Sequence, residues 1–129
     1  MAFVPYSYDD GQPMPFEYFK LAEDGDIQIG LCLALENGAL AVSAEPDYLC
    51  MRDETGATAG QTIPVIHMSD KVVFEAPLAA AGASLQPGSA AGVSADGLGI
   101  DPAAGVKNIV ILDMDGSEAG DKCRCRFTA

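Results

Sequence analysis

The sequence predicts an all-β fold, a small barrel or sandwich of short antiparallel strands, with an extended N-terminal arm over residues 1–15 and a single β domain over 16–129. Three observations predict it. From Ile27 onward, Ile27, Ile29, Leu31, Leu33 and Leu35 alternate with Gln28, Gly30, Cys32 and Ala34, the period of two that marks a strand. Asn37-Gly38 then falls between two apolar runs and is a strong hairpin signal, because a type I′ turn needs positive φ at both central residues. The later apolar runs are all strand-length and bounded by Gly, Asp, Ser or Pro, with no long helix between them, which argues for a barrel or sandwich.

Taken in order, residues 1–15 carry Pro5, Pro13 and Pro15 with Phe3, Tyr6 and Tyr8 and show neither apolar period, so they read as an extended arm. Six of the nine aromatics fall within the first 19 residues, so the arm is expected to lie against its own domain or a neighbouring chain. After the 27–42 hairpin come "YLCM" (48–51), "IPVIHM" (63–68), "KVVFE" (71–75), a Gly/Ala-rich run to Val93, "GLGI" (97–100), "NIVILDM" (108–114) and "KCRCRF" (122–127). Only "APLAAAGAS" (76–84) has the composition for a helical turn, kept short by Pro77 and Gly82. The small residues opposite Ile27–Leu35 predict close approach by another layer. "IQIGLCLALENGALAV" and "SLQPGSAAGVSADGLGI" also echo one another. Two related hairpins centred on Gly38 and Gly97 would produce that echo; so would chance, because Gly and Ala are common here.

A chain of 129 residues accommodates one domain with one substantial core. Nineteen acidic against seven basic side chains give a net charge of −12, which repels phosphate backbones and anionic headgroups, so neither nucleic acid nor membrane is an expected partner. The N-terminal residues lack a basic and then apolar leader, and no apolar run has the length of a membrane span. The expectation is a cytoplasmic chain whose Cys32, Cys50, Cys123 and Cys125 are reduced thiols.

Four constellations bear on chemistry. "ILDMDGS" resembles the first motif of the haloacid dehalogenase superfamily, in which the first Asp is a nucleophile on phosphate. Here Asp113 is followed by only sixteen residues, too few for the parallel crossovers that would bring the remaining motifs to it, so no enzyme activity is expected. Asp113, Asp115, Glu118 and Asp121 could offer oxygens to calcium, but Gly116 is misplaced for an EF-hand and a solvated turn is the expectation. In "CRCRF", Cys123, Cys125 and Phe127 share one strand face as small or apolar core residues, while Lys122, Arg124 and Arg126 share the other. That second face reads either as a solvated counterweight to the acidic loop or as a contact stripe for an acidic neighbour. His67 has no catalytic partner motif, the hairpin tips carry no lysine for a prosthetic group, and no cofactor or metal is expected.

The succession "IQIGLCLALENGAL", "PDYLCM", "GQTIPVIHMSDKVVFEAPL", "LQPGSAAGVSADGLGI" and "GSEAGDKCRCRF", covering roughly residues 16–127, resembles small proteins encoded in prophage head-gene clusters of gut bacteria, similar in style to tailed-phage head decoration (capsid cement) proteins. The resemblance implies a β-barrel-like module on the outer capsid lattice, commonly trimeric with an extended N-terminal arm. Its partners would be copies of itself and the major capsid protein, and its location the bacterial cytoplasm during assembly and then the virion surface. Phe3, Tyr6 and Tyr8 of the arm and Lys122, Arg124 and Arg126 of the last strand are the expected assembly contacts. The rival reading is a cytoplasmic, monomeric β-barrel that binds a small ligand or a protein partner through its interior or mouth.

Overall fold

The computed structural model describes residues 2–9 and 11–128; Met1, Asp10 and Ala129, which the expected arm and domain include, lie outside the described residues. Thirteen strands and no helix are found there: β1 (Val4–Tyr8), β2 (Phe16–Leu21), β3 (Gly25–Ile27), β4 (Cys32–Glu36), β5 (Ala39–Val42), β6 (Tyr48–Cys50), β7 (Glu54–Ala57), β8 (Thr62–His67), β9 (Val72–Pro77), β10 (Ala90–Val93), β11 (Ile100–Asp101), β12 (Ile109–Met114) and β13 (Lys122–Phe127). The chain is all-β, as its alternation and turns predict.

Apart from β1 and a small two-stranded sheet of β3 and β7, the strands form two units of the same connectivity. In the first, β2, β5, β4, β6 and β8 form a closed barrel. β8 pairs antiparallel with β2 and β6, β4 with β5 and β6, and β5 closes the barrel in parallel against Lys20 and Leu21 at the end of β2. In the second, β9, β13, β12, β10 and β11 follow the same order, and the sheet curls until Ile100 meets Leu78, just past β9, in a parallel bridge.

The match extends to single hydrogen bonds. Ala22 N donates to Leu40 O at 2.8 Å, and Ala79 N to Ile100 O at 2.8 Å; Leu21 N donates to Gln61 O, and Leu78 N to Asp121 O, both at 2.9 Å. Gly30 N donates to Cys50 O, and Gly88 N to Ile111 O, both at 2.8 Å, which aligns Ile27-Gln28-Ile29-Gly30 with Leu85-Gln86-Pro87-Gly88. The two echoing hairpins therefore occupy equivalent places in two equivalent units. Their tips differ: Asn37 (φ 51°) and Gly38 (φ 81°) make the predicted two-residue turn between Glu36 and Ala39. Between Val93 and Ile100 the loop is longer and only Gly97 has positive φ, with Ser94 Oγ held on Asp96.

Two expectations are corrected. The alternation from Ile27 to Leu35 is not one strand, because Gly30 (φ 91°) breaks it and a Cβ there would lie 2.1 Å from the Phe3 carbonyl oxygen. The close approach predicted for the small-residue face is thus real and is made by the N-terminal segment. Residues 76–84 make no helical turn, since β9 runs through Pro77 and Leu78 is taken up by its bridge to Ile100.

The arm is extended and lies against its own domain, one of the two places expected for it. Val4–Tyr8 pairs antiparallel with β9 as an edge strand of the second unit, while Ala2 N and Phe3 N donate to Ile29 O and Gly30 O of the first, each at 3.2 Å. Phe3 is fully buried, its ring 5.3 Å from that of Phe127, in a cluster that also holds Phe74 of the second unit and Cys32, Leu49 and Ile66 from the outer wall of the first. The segment is a clasp between the two units because an apolar ring at position 3 is worth roughly 1.5–3 kcal/mol when taken out of water. Two further bonds cross the junction, Cys32 N to Gly97 O and Asn108 Nδ2 to Ala44 O, both at 2.9 Å.

Candidate functional site

The outer face of β13 is where the sequence places three of its six expected contact residues. β13 alternates as predicted: Cys123, Cys125 and Phe127 are buried, and Lys122, Arg124 and Arg126 lie outward. Around them the fold collects four carboxylates from three separate segments. Arg124 Nη1 meets Glu75 Oε2 at 3.2 Å, its Nη2 meets Asp115 Oδ1 at 2.6 Å, and its Nε donates to Asp113 Oδ1. Arg126 takes Asp9 in a two-pronged pair at 2.8 and 3.0 Å and donates to the Asp70 carbonyl, and Lys122 lies 3.7 Å from Glu75.

A bulge explains how Asp113 arrives there. The β12–β13 register shifts between Ile111, opposite Cys125, and Asp113, opposite Arg124. Without that extra residue Asp113 would share the inward face of Ile111, since one residue of slip exchanges the faces of a strand. A second bulge, between Pro5 and Ser7, accompanies Tyr6, whose ring lies 5.6 Å below the Arg124 guanidinium. Hydrogen bonds from Arg124 hold the Asp115 carboxyl below its ordinary value, and Asp115 and Asp113 hold the Arg124 guanidinium above its own. With Asp9, Glu75, Asp113 and Asp115 against Lys122, Arg124 and Arg126, the expected basic stripe is a self-neutralised network.

Of the arm's expected contacts, Phe3 is core and unavailable to a neighbour, Tyr8 is half-buried against that core, and Tyr6 is 62% exposed. Sequence reading passed over another exposed pair. Phe16 (52%) and Tyr18 (63%) project from the outer face of β2, with Pro64 of β8 opposite Tyr18. The signal was available as the alternation Phe16, Tyr18, Lys20, which shares a face only if 16–21 is a strand.

The thiols are poor nucleophiles. Burial pushes Cys123 up to about 11 and Cys125 up to about 12, and raises Cys32 and Cys50 as well. The acidic 113–121 loop is tied to itself, with Glu118 N donating to Asp121 Oδ2 at 3.1 Å and Asp115 N to Lys122 O at 2.9 Å. Among the described residues no cluster of three or more His, Cys, Asp or Glu side chains is placed to hold a metal ion.

The first barrel's interior is filled by Leu21, Leu33, Leu40, Cys50, Ile63 and Val65. At one end a cavity of about 170 Å³ has these leucines as its floor and Glu23, Asp24 and Asp26 on its rim. Two of those carboxylates are already engaged, Asp24 with Ala59 N at 2.7 Å and Asp26 with Gly56 N at 2.8 Å. At another place in the same barrel, Tyr48 packs between Phe19 and His67, each ring pair 5.1 Å apart, and Glu17 and Asp47 add to the burial that raises the Tyr48 phenol. No protein-family model and no curated protein sequence matches the chain.

Proposed function

We propose that this protein is a phage or prophage virion structural protein, a head decoration or capsid-stabilising protein that binds the major capsid protein as a homo-oligomer, a trimer on the resemblance of residues 16–127. The role is non-enzymatic and needs no cofactor, metal, nucleic acid or membrane. The observation that carries the reading is where apolar area is placed. Both interiors are packed with side chains, whereas Tyr6, Phe16 and Tyr18 stand more than half exposed on β1 and β2. Exposed aromatics on a rigid β scaffold are suited to protein contact, and a filled barrel has little room to bind a ligand inside.

The test is direct. Capsids of the phage concerned, assembled with and without the protein, should differ: bound protein at fixed stoichiometry and a higher disruption temperature are expected. Equal stability with no bound protein would end the reading. Molar mass by light scattering is expected near three times 13.3 kDa. A monomer would confine the association to the capsid lattice itself.

A further inference from the structure

The internal repeat contains one vacancy. In the second unit the free edge of its first strand, β9, is covered by β1, with Val4 opposite Glu75 and Ser7 opposite Val73. The equivalent strand of the first unit is β2. The two fifth strands align through their matched registers, Lys20 opposite Thr62 and Pro77 opposite Lys122, so Tyr18 corresponds to Glu75, Glu17 to Phe74 and Phe16 to Val73. β5 covers β2 only at Lys20 and Leu21. Upstream of these, among the described residues, β2 has no strand on that side.

The exposed backbone groups can be identified. Pro64, opposite Tyr18, has no N–H, and its carbonyl accepts from Met51 N at 3.0 Å on the β6 side. Tyr18 and Pro64 are therefore a non-hydrogen-bonded pair, and the N–H and C=O of Tyr18 point away from β8. Phe16, two residues earlier, points the same way. These are the counterparts of the Glu75 and Val73 groups that β1 satisfies in the second unit.

We propose that the β2 edge at Phe16–Tyr18 accepts an antiparallel strand from a partner protein, an extended segment with a basic residue opposite Glu17. Charge sets the occupant. In the filled copy of the edge, β1 puts Pro5 opposite the buried Phe74. Here the corresponding position is the half-buried Glu17, with no basic partner among the described residues, in a chain of net charge −12. A second copy paired through its own β2 edge about Glu17 would set Glu17 against Glu17, and like charges directly opposite one another destabilise a sheet. The outer side of the added strand would lie by Phe16, Tyr18 and Pro64, where the second unit has Glu75 and Arg124, so apolar or aromatic residues fit there. Strand addition of this kind draws affinity from backbone bonds and specificity from alternate side chains. The inference does not depend on whether the partner belongs to a capsid.

The probe is a synthetic nine-residue peptide with the β1 pattern and lysine in the place of Pro5, titrated to millimolar concentration against the full chain. Hydrogen exchange read by NMR should show the Phe16 and Tyr18 amides slowing on addition. Glu17→Lys should weaken the lysine peptide at least tenfold and favour its glutamate counterpart. Tyr18→Pro removes an N–H that the protein's own ladder does not use, so it should leave the melting temperature nearly unchanged and abolish protection of the remaining Phe16 amide. Peptide binding without protection of these two amides, or indifference to Glu17→Lys, would overturn the proposal. So would concentration-dependent protection without peptide, which would assign the edge to a second copy.

Discussion

The two units share a connectivity and differ at the same structural place. In the second, Phe74, Ile109 and Phe127 are buried with Phe3 of the N-terminal clasp and the outer wall of the first unit, Cys32, Leu49 and Ile66. In the first, the corresponding positions are Glu17, Tyr48 and His67, half-buried or exposed. The interface is thus head-to-tail: the wall of one unit seals the end of the other, and the equivalent end of the first is left open. Divergence of the repeat follows from this asymmetry, since the sealed end must be apolar and the open end must tolerate water. Arg126 shows the same logic from the other side, standing where the first unit has the buried Ile66.

The largest expected effect falls at the seal. Phe3→Ala should cost roughly 3–5 kcal/mol in urea denaturation, the range for removing a buried aromatic. Phe19→Ala, half-buried at the open end, should cost clearly less; equal costs would break the comparison. Next come the matched glycines. Gly30→Ala and Gly88→Ala both force alanine to a φ near +90°, but only at Gly30 does the new Cβ meet backbone, the Phe3 carbonyl oxygen. Gly88→Ala should cost roughly 1–2 kcal/mol from the strained conformation alone, and Gly30→Ala clearly more because the clasp must shift. Similar losses at both positions would mean that the clasp is not seated on Gly30.

A smaller effect is expected from acid. The Asp115 carboxyl is lowered in the folded chain by its hydrogen bond from Arg124. Its contribution is therefore complete above the unfolded carboxylate value near pH 4 and is lost as pH falls through the lowered folded value. Arg124→Leu should flatten that acid limb of stability and leave the curve above pH 5 the same shape. An unchanged acid limb would remove the network from the account of β13. Smallest is His67→Phe, which copies Phe127 into the open end; at an exposed position it should change stability by no more than about 0.5 kcal/mol.

Strand content was legible because its signals are local. Ile63, Val65, Cys123, Cys125 and Phe127 fall inward wherever their strands pack, and Asn37-Gly38 turns without help from the rest of the chain. The candidate site was harder to read, because a charge pattern does not say which opposite charges will be beside it. Lys122, Arg124 and Arg126 read as a basic stripe until folding brings Asp9 and Glu75 to them from sequence positions 117 and 49 residues away, and the β12 bulge turns Asp113 outward.

Alone, then, the sequence determined the fold class, the turn at Asn37-Gly38, the faces of β13 and the echo between the two hairpins, all consequences of period, turn chemistry and spacing within a few residues. Folding in three dimensions settled the rest: that the echo belongs to two equivalent five-stranded units, that Phe3 is a clasp in the core, and that one of two equivalent edges is filled by β1 while the other is uncovered among the described residues. Those outcomes depend on pairing between residues far apart in the chain, and side-chain periodicity gives no information about which edges will meet.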